Sequence, residues 1–551
     1  MKKTYVIGLD FGTDSARALL VDAVSGKELD TEVVLYPRWN QGLYSDFSIA
    51  QFRHHPQDYI EVLEQVVKAV TDRHPECKEM VAAISVDTTA STPCLTDKTG
   101  TPLAMLDKYK NNPNAMFVIW KDHTSQKESD EINALLKTQP INYACFTGNH
   151  YSPECFWTKV LHLLRSDKQL AEDAWSVIEA CDFIPNILTG NKDASKVIVG
   201  HCIAGAKWMW SDVWGGYPPE SFFEALDPIL LPIRRHLSTD TRYCTEIAGH
   251  LSEEWADRLG LPAGIPVGTG NIDSHSGAIG AGITDGTLVM NLGTSACFMS
   301  VMPKEVMGTR IVDGIFGQVD GSILKGEVGF ESGLSAFGDG FAWFRRLMSW
   351  PLEKLIAPQN KELAEEAVDN LLIKLAEDAE KLNITIDSPL ATDWLNGRRS
   401  PYPDNTLTAS FTSIDLSTKA PELYYALVES TCFATKRVVD HLVDNDIVVD
   451  KLVGIGGIPR KSPFVMQMLA DTLGRELNIS ACKQAGAMGS VIHASVIAGL
   501  YPNIPEAQKV LCRPIERTYI PVPKHTELLA RRYKRYISLG TFTENEQEKN
   551  Y

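Results

Sequence analysis

One motif appears twice, and it limits the folds open to this chain more than any other feature. Tyr5-Val-Ile-Gly-Leu-Asp10-Phe-Gly12-Thr13-Asp-Ser15 near the N-terminus is echoed by Thr287-Leu-Val-Met-Asn-Leu-Gly293-Thr294-Ser295 near the middle. Each is a short apolar run that breaks into a Gly-Thr turn. A run of this length reads as a strand buried on both faces. Glycine lets the turn be tight, so that its backbone amides and the threonine hydroxyl can face an anion. Two similar halves follow, and paired hairpins of this kind can hold a polyphosphate between them.

The bulk properties agree with a large α/β protein. At 551 residues the chain exceeds what one core serves and suits two or three domains. Lys and Arg number 53 against 70 Asp and Glu, a formal charge of −17 that repels nucleic acid and anionic membranes in the absence of a basic patch. The eleven cysteines are scattered singly with no C-x-x-C pair, as expected of small buried hydrophobes in a reducing compartment. The apolar stretch behind Met1-Lys-Lys-Thr stops at Asp10, too short for export, and no run of about eighteen apolar residues occurs. The expectation is a cytoplasmic protein with no nucleic-acid or membrane partner. The oligomeric state stays open, and a homodimer is compatible with it.

The pattern predicts strands over residues 5–9 and 17–21 joined by the first hairpin, then a turn at Ser25-Gly26, as in a meander. A helix over 58–70 carries a stripe of Tyr59, Leu63, Val66, Val67 and Val70. A buried strand over 81–86 ends at Asp87-Thr88-Thr89, a polar strand end of the kind that binds ligands in α/β proteins. The glycine-rich stretch 264–282 reads as strand, site loop and helix. This places a boundary near residue 283, giving domains over 1–282 and 283–511 and a C-terminal helix and tail over 512–551, frayed after Thr543. Helical periodicity runs over 351–382 and 421–443, with Asn396-Gly-Arg-Arg-Ser-Pro-Tyr-Pro403 as a loop between them. A strand then enters the Gly456-Gly457 turn, and Ser462 starts a helix.

G-x-x-x-x-G-K-[ST] matches nowhere, and the dinucleotide fingerprint fails at Asp273 after Gly268-Thr-Gly270 and at Pro459 after Gly454-Ile-Gly456. The duplicated hairpin, the Gly456-Gly457 turn and aspartates at strand or loop ends remain. In order and spacing, Gly8-Leu-Asp10-Phe-Gly12-Thr-Asp-Ser15, Asn271-Ile-Asp273, Asn291-Leu-Gly293-Thr294 and Gly454-Ile-Gly456-Gly457 resemble the FGGY family of carbohydrate kinases, within the superfamily of actin, hexokinase and heat-shock ATPases. The resemblance covers almost the whole chain. It implies an α/β protein of two ribonuclease-H-like (actin-like ATPase) domains with a cleft between them, using ATP and Mg²⁺ to phosphorylate a sugar hydroxyl. Tyr36-Pro-Arg-Trp39, Gln51-Phe-Arg-His-His55-Pro56, Asn112-Pro-Asn-Ala-Met-Phe117, Trp120-Lys-Asp-His123 and Ser335-Ala-Phe-Gly-Asp339 are similar to the family branch serving L-arabinose breakdown. That similarity implies L-ribulose as the small-molecule substrate, phosphorylated at its C5 hydroxyl. Another pentulose or polyol kinase would share the same phosphate machinery, and a protein-binding ATPase of the same fold would need a further domain.

The residue assignments follow from the resemblance. Asp273 is implied as the base, since a carboxylate can accept the hydroxyl proton during attack; without the family it reads equally as a helix cap. Asp10 is implied near the metal, where one carboxylate plus phosphate oxygens suffices for Mg²⁺; on residue type alone it is a turn former. Thr13, Ser15 and Arg17 on the first hairpin and Gly293 and Thr294 on the second are implied phosphate contacts, with Gly456 and Gly457 for the adenosine. Ala90, Lys207 and Glu331, together with Asp273, are implied sugar contacts. Outside the family Lys207 reads as a solvent-facing charge, Trp208, Trp210 and Trp214 read as packing, and His123 reads as orienting or structural. Two departures from the pattern stand out: Asp87-Thr88-Thr89-Ala90 where many relatives carry serine and glycine, and Ile458-Pro459 after the glycine pair.

Overall fold

A computed structural model describes residues 4–548. Its first sheet begins with β1 (Tyr5–Phe11), β2 (Ser15–Asp22) and β3 (Lys27–Leu35), which form the expected antiparallel meander. The helix α1 (Pro56–Arg73) starts on a proline at its first position and buries the whole predicted stripe against Ile7, Leu9 and Leu20. The next strand, β4 (Val81–Thr88), lies parallel to β1 and is buried at every position. Asp87 and Thr88 therefore lie inside the strand and not just beyond it. The short strands β5 (Ile247–His250), β6 (Pro266–Gly268) and β7 (Asn271–Ile272) complete the sheet in the order β5-β6-β4-β1-β2-β3, with β7 also paired to β4.

The second sheet repeats this plan. A meander of β8 (Thr287–Leu292), β9 (Ala296–Pro303) and β11 (Glu327–Leu334), flanked by β10 (Gly317–Asp320), lies beside the parallel strand β12 (Lys451–Ile455). The order continues through β13 (Leu477–Ser480) to an edge strand, β14 (Ile515–Tyr519). That edge strand corrects the expectation of only helix and tail after residue 512. Its Glu516 and Arg517 disguise it, because edge strands carry charges that discourage further pairing.

Two helices join the halves. The helix α2 (Asp273–Gly280) follows β7, α3 (Ala420–Asp444) packs in the second half, and α4 (Ala485–Ile497) lies against α2, β1 and β4. Its Met488 and Val491 share one core with Val6 and Leu19 of the first sheet and Val453 and Ile455 of the second. Glycine makes this approach possible: a Cβ on Gly489 would sit 2.0 Å from the Ser276 carbonyl oxygen, and one on Gly8 would sit 2.2 Å from that of Ala487.

Two helical expectations are corrected. Residues 351–382 are not one helix: Gly338–Pro351 is followed by a π turn at Leu352–Ile356, and a new helix, Lys361–Ala379, is capped by Asn360, which accepts the Leu363 amide at 3.1 Å. A side-chain cap satisfies amides that the break leaves open, and periodicity alone does not register it. Nor are residues 544–548 frayed, since α5 (Pro523–Glu548) continues through them with the Thr543 side chain buried; the rest of the expected frayed tail, 549–551, lies outside the described residues. Among the described residues no helix is long and apolar enough to cross a membrane. All eleven cysteines are free thiols.

Candidate active site

The strand register brings three aspartates together. Asp10 on β1 pairs in register with Asp87 on β4, and Asn271 on β7 pairs with Asp87 from the other side, so Asp273 emerges two residues further on. Asp273 is the first residue of α2 and not its cap, which is Ile272; its carboxylate accepts the Ser274 amide at 2.6 Å. Burial and then the nearby Asp10 carboxylate push Asp273 up to about 7. Burial and the same neighbour hold Asp87 well above the usual carboxylate range, opposed by the Ser490 hydroxyl, which donates to Asp87 at 2.6 Å. Arg17 offsets part of this charge, with its Nε 3.7 Å from Asp10 Oδ2 and its Nη1 donating to Gln484 at 3.0 Å.

Asp87 Oδ1 is buried and has no hydrogen-bond partner. Gly486 of α4 leaves room over the same spot, since a Cβ there would lie 2.5 Å from Asp10 Oδ2 and 3.3 Å from Asp87 Oδ1. Among the described residues no group of three or more His, Cys, Asp or Glu side chains makes a metal site unaided. A two-carboxylate corner suits a hard cation that completes its shell with water and phosphate oxygens.

Both hairpins open on a Gly-Thr pair whose glycine amide bonds back across the turn, and the first turn is one residue longer than the second. The Gly12 amide donates to the Ser15 carbonyl at 3.0 Å, and the Gly293 amide donates to the Ser295 carbonyl at 3.0 Å. Thr13, Ser15 and Arg17 from one half and Thr294 from the other line a single cavity of ≈ 1040 Å³ between the halves. Thr13 Oγ1 accepts from Trp120 at 3.0 Å, which fixes that hydroxyl at the cavity wall. The Gly456-Gly457 turn packs against the second hairpin. Gly456 has φ 101°, and a Cβ on it would meet the Leu292 carbonyl oxygen at 2.6 Å. Beside the Gly457 Cβ position nothing lies within 4 Å, so this flank of the turn is open.

Lys207 and Glu331 are brought together from opposite halves, buried and 3.5 Å apart. Lys207, 2% exposed, is not the solvent-facing charge its residue type suggests. His275 Nε2 lies 3.2 Å from the same Glu331 oxygen. Burial opposes ionisation of Glu331, but Lys207, His275 and Arg399 outweigh it and hold the carboxyl well below its usual range. Burial also disfavours a charged His275, yet Cys202 and Glu331 raise it to about 10. The Lys207 ammonium sits 3.9 Å from the Phe316 ring centroid, and the Arg399 guanidinium sits 4.3 Å from it. Arg399 donates to Glu154 at 2.7 Å, and His123 approaches the other Glu154 oxygen at 3.5 Å. Burial opposes the Glu154 charge, but Arg399 and His123 draw its carboxyl down to about 2.

Ala90 is half-buried on the neighbouring loop. Buried Glu179 braces that loop, accepting from the Ser91 hydroxyl and from the Thr92 amide at 2.5 Å, and also from Trp208 at 3.1 Å. Trp208, next to Lys207, stacks on Phe156 at 3.9 Å and is a packing residue, as expected. Asp87, Glu154, His275 and Arg399 were not singled out as site residues from sequence. Asp87 was at least visible as a polar strand end. Arg399 and Glu154 are 245 positions apart, and neither stands out locally.

The corner can take up a proton near neutral pH, a buried cation–carboxylate pair lies close to it, and both Gly-Thr turns line the cavity between the halves. Comparison with known proteins agrees. Residues 5–280 match the N-terminal domain of the FGGY family of carbohydrate kinases, and residues 288–498 match its C-terminal domain. The chain is 43% identical to a ribulokinase of Vibrio parahaemolyticus over 98% of this chain and 96% of the relative, and 35% identical to one of Halalkalibacterium halodurans over 98% and 95%. The solved xylulose kinase of Rhodospirillum rubrum shares the fold, with a TM-score of 0.78 at 20% identity over 99% of this chain and 100% of that one. With both domain matches and full-length relatives of this similarity, the chain belongs to the FGGY family of carbohydrate kinases.

Proposed function

We propose that this chain transfers the γ-phosphoryl group of ATP to the C5 hydroxyl of L-ribulose, giving L-ribulose 5-phosphate and ADP. The observation that carries the reading is the position of Asp273, which lies near both Asp10 and Glu331 and has a proton affinity poised near neutrality. A base of that affinity can take the hydroxyl proton as the oxygen attacks phosphorus, and the P–O bond to ADP breaks as the new one forms. The first hairpin (Thr13, Ser15, Arg17) and the second (Gly293, Thr294) cradle the phosphates with amides, hydroxyls and one guanidinium. Gly456 and Gly457 leave room for the adenosine. Lys207, Glu331 and Ala90 fix the sugar, two by directional polar contacts and one by leaving space.

Asp10, with Asp87 beside it, would hold Mg²⁺ in the corner that contains the unpartnered Asp87 oxygen. The ion supplies charge neutralisation for the phosphates when bound. The full-length likeness to ribulokinases supports L-ribulose as the acceptor, and ATP as donor fits a cytoplasmic setting. A coupled ADP-release assay across L-ribulose, D-ribulose, xylulose and glycerol with ATP and Mg²⁺ tests the reading. L-ribulose should be turned over fastest, because a site built for several hydroxyls is left with unpaired polar groups when one is missing or inverted. Faster turnover of xylulose or glycerol would remove the acceptor assignment and leave the kinase assignment standing.

A further inference from the structure

Arg399 sits on a loop that the C-terminal helix holds in place. The loop's two flanks, residues 385–394 and 404–410, run along α3 and α5. Arg532 of α5 forms a buried ion pair with Glu429 of α3 at 2.5 Å and donates to the carbonyls of Thr385 and Pro389 at 2.7 and 2.8 Å. Further along α5, Tyr536 donates to Asp393 at 2.6 Å, and Gly540 lets Trp394 pack against the helix, its ring 3.2 Å from where a Cβ would be. Gln547 bonds Thr408 on the returning flank, donating to its hydroxyl at 2.7 Å. Closest to the tip, Glu544 pairs with Arg398, whose guanidinium also lies over the Trp394 ring.

Arg399, the next residue, faces the cleft. It lines the cavity shared by the two hairpins, bonds Glu154 of the other half and shares Phe316 with Lys207. Its buried Nε–H has no acceptor. A loop charge whose only role is to close the surface would not be held so firmly with a donor left unused beside the site.

We propose that Arg399 is a positioning residue for the acceptor end of the cleft, bridging the halves through Glu154, and that α5 sets its place through the Arg398–Glu544 pair. Helix α5 lies wholly beyond residue 498, where the match to the family's C-terminal domain ends. It also packs on α3 and on Pro463–Leu473, and through this loop it reaches a side chain that lines the cleft. The inference rests on the acceptor pocket assigned above.

The test is steady-state kinetics of the full chain with L-ribulose, ATP and Mg²⁺, comparing Arg399→Met, Arg399→Lys, Glu544→Gln, the Arg399→Met/Glu544→Gln double variant and Lys207→Ala. Arg399→Met should raise the KM for L-ribulose by about 10- to 100-fold, as loss of a buried charge partner does, with the KM for ATP within about twofold of wild type. Arg399→Lys keeps the charge but loses the planar fork, and should fall between. Glu544→Gln should raise the same KM by roughly 3- to 10-fold, and the double variant should match Arg399→Met alone, because the two lie on one path. A wild-type KM in Glu544→Gln, multiplying effects in the double variant, or an equal rise in the KM for ATP would overturn the inference. Lys207→Ala separates the two levels. If it leaves the L-ribulose KM unchanged, the acceptor-pocket reading has failed; if it raises that KM while Arg399→Met does not, only the present inference falls.

Discussion

Asp10 and Asp87 stand at the same register level on neighbouring parallel strands, buried side by side with one guanidinium near the first and an unpartnered oxygen on the second. Two carboxylates this close repel unless a proton or a cation lies between them. Asp10→Asn removes one of the pair, so the Mg²⁺ concentration giving half-maximal rate should rise by about tenfold or more alongside a loss of rate. A magnesium titration of the purified variant checks this. An unchanged half-point would make Asp10 a turn residue.

Asp273→Asn keeps the side-chain size and removes the proposed proton acceptor. Turnover should fall by about two to four decades. Nucleotide binding should survive, because no phosphate-facing hairpin is altered; equilibrium binding of ADP to the variant provides the check.

The proton affinity of Asp273 also predicts two pH profiles. In the free enzyme the proposed base would work only when deprotonated, so kcat/KM should rise with pH through about 7 and level off above it. Stability runs the other way. A carboxyl raised to about 7 in the fold binds its proton more tightly there than in the unfolded chain, so wild type loses stability from about pH 4 up to 7 as ionisation is resisted. Asp273→Asn lacks this cost, and its Tm advantage over wild type should grow across that window and then plateau. Glu154, drawn down to about 2, has the opposite sign: its contribution is complete above the ordinary carboxylate range and disappears as pH falls toward 2. Melting curves of wild type, Asp273→Asn and Glu154→Gln from about pH 2 to 8 would show both trends.

Gly489→Ala is expected to be a damaging single-methyl change. Its Cβ would lie 2.0 Å from a backbone oxygen of α2, which no rotamer can relieve, so α2 and α4 must separate and carry Asp273 with them. Such overpacking costs about 1–3 kcal/mol or more. Both a lower Tm and a lower kcat should follow. The check is a comparison with Gly340→Ala, a helical position whose Cβ would lie no nearer than 3.5 Å to any neighbour, ordinary van der Waals contact.

The parts of the site that could be read from sequence are those built locally. The hairpins were legible because a doubly buried strand and its Gly-Thr turn are written in consecutive residues, and α1 was legible because its buried stripe follows the helical repeat. Asp273 stood out only through the family pattern, since on its own it looks like any aspartate before a short helix. Arg399, Glu154 and His275 stayed hidden because their chemistry depends on partners brought together by the fold across the cleft. The break before Lys361 was hidden for a related reason: one side-chain cap at Asn360 overrides a periodicity that continues through it.

The shared core around α4 affects how the protein is made. While the first half leaves the ribosome, Val6, Leu19 and Ala83 face the side that Met488, Val491 and Ile492 will later cover. Synthesis must therefore pass α4 before the first sheet can be sealed, and until then its apolar face is available to chaperones or to another nascent chain. A chain terminated between the two family domains would carry that face permanently, and its fate would be aggregation or capture, with no independent N-terminal module released.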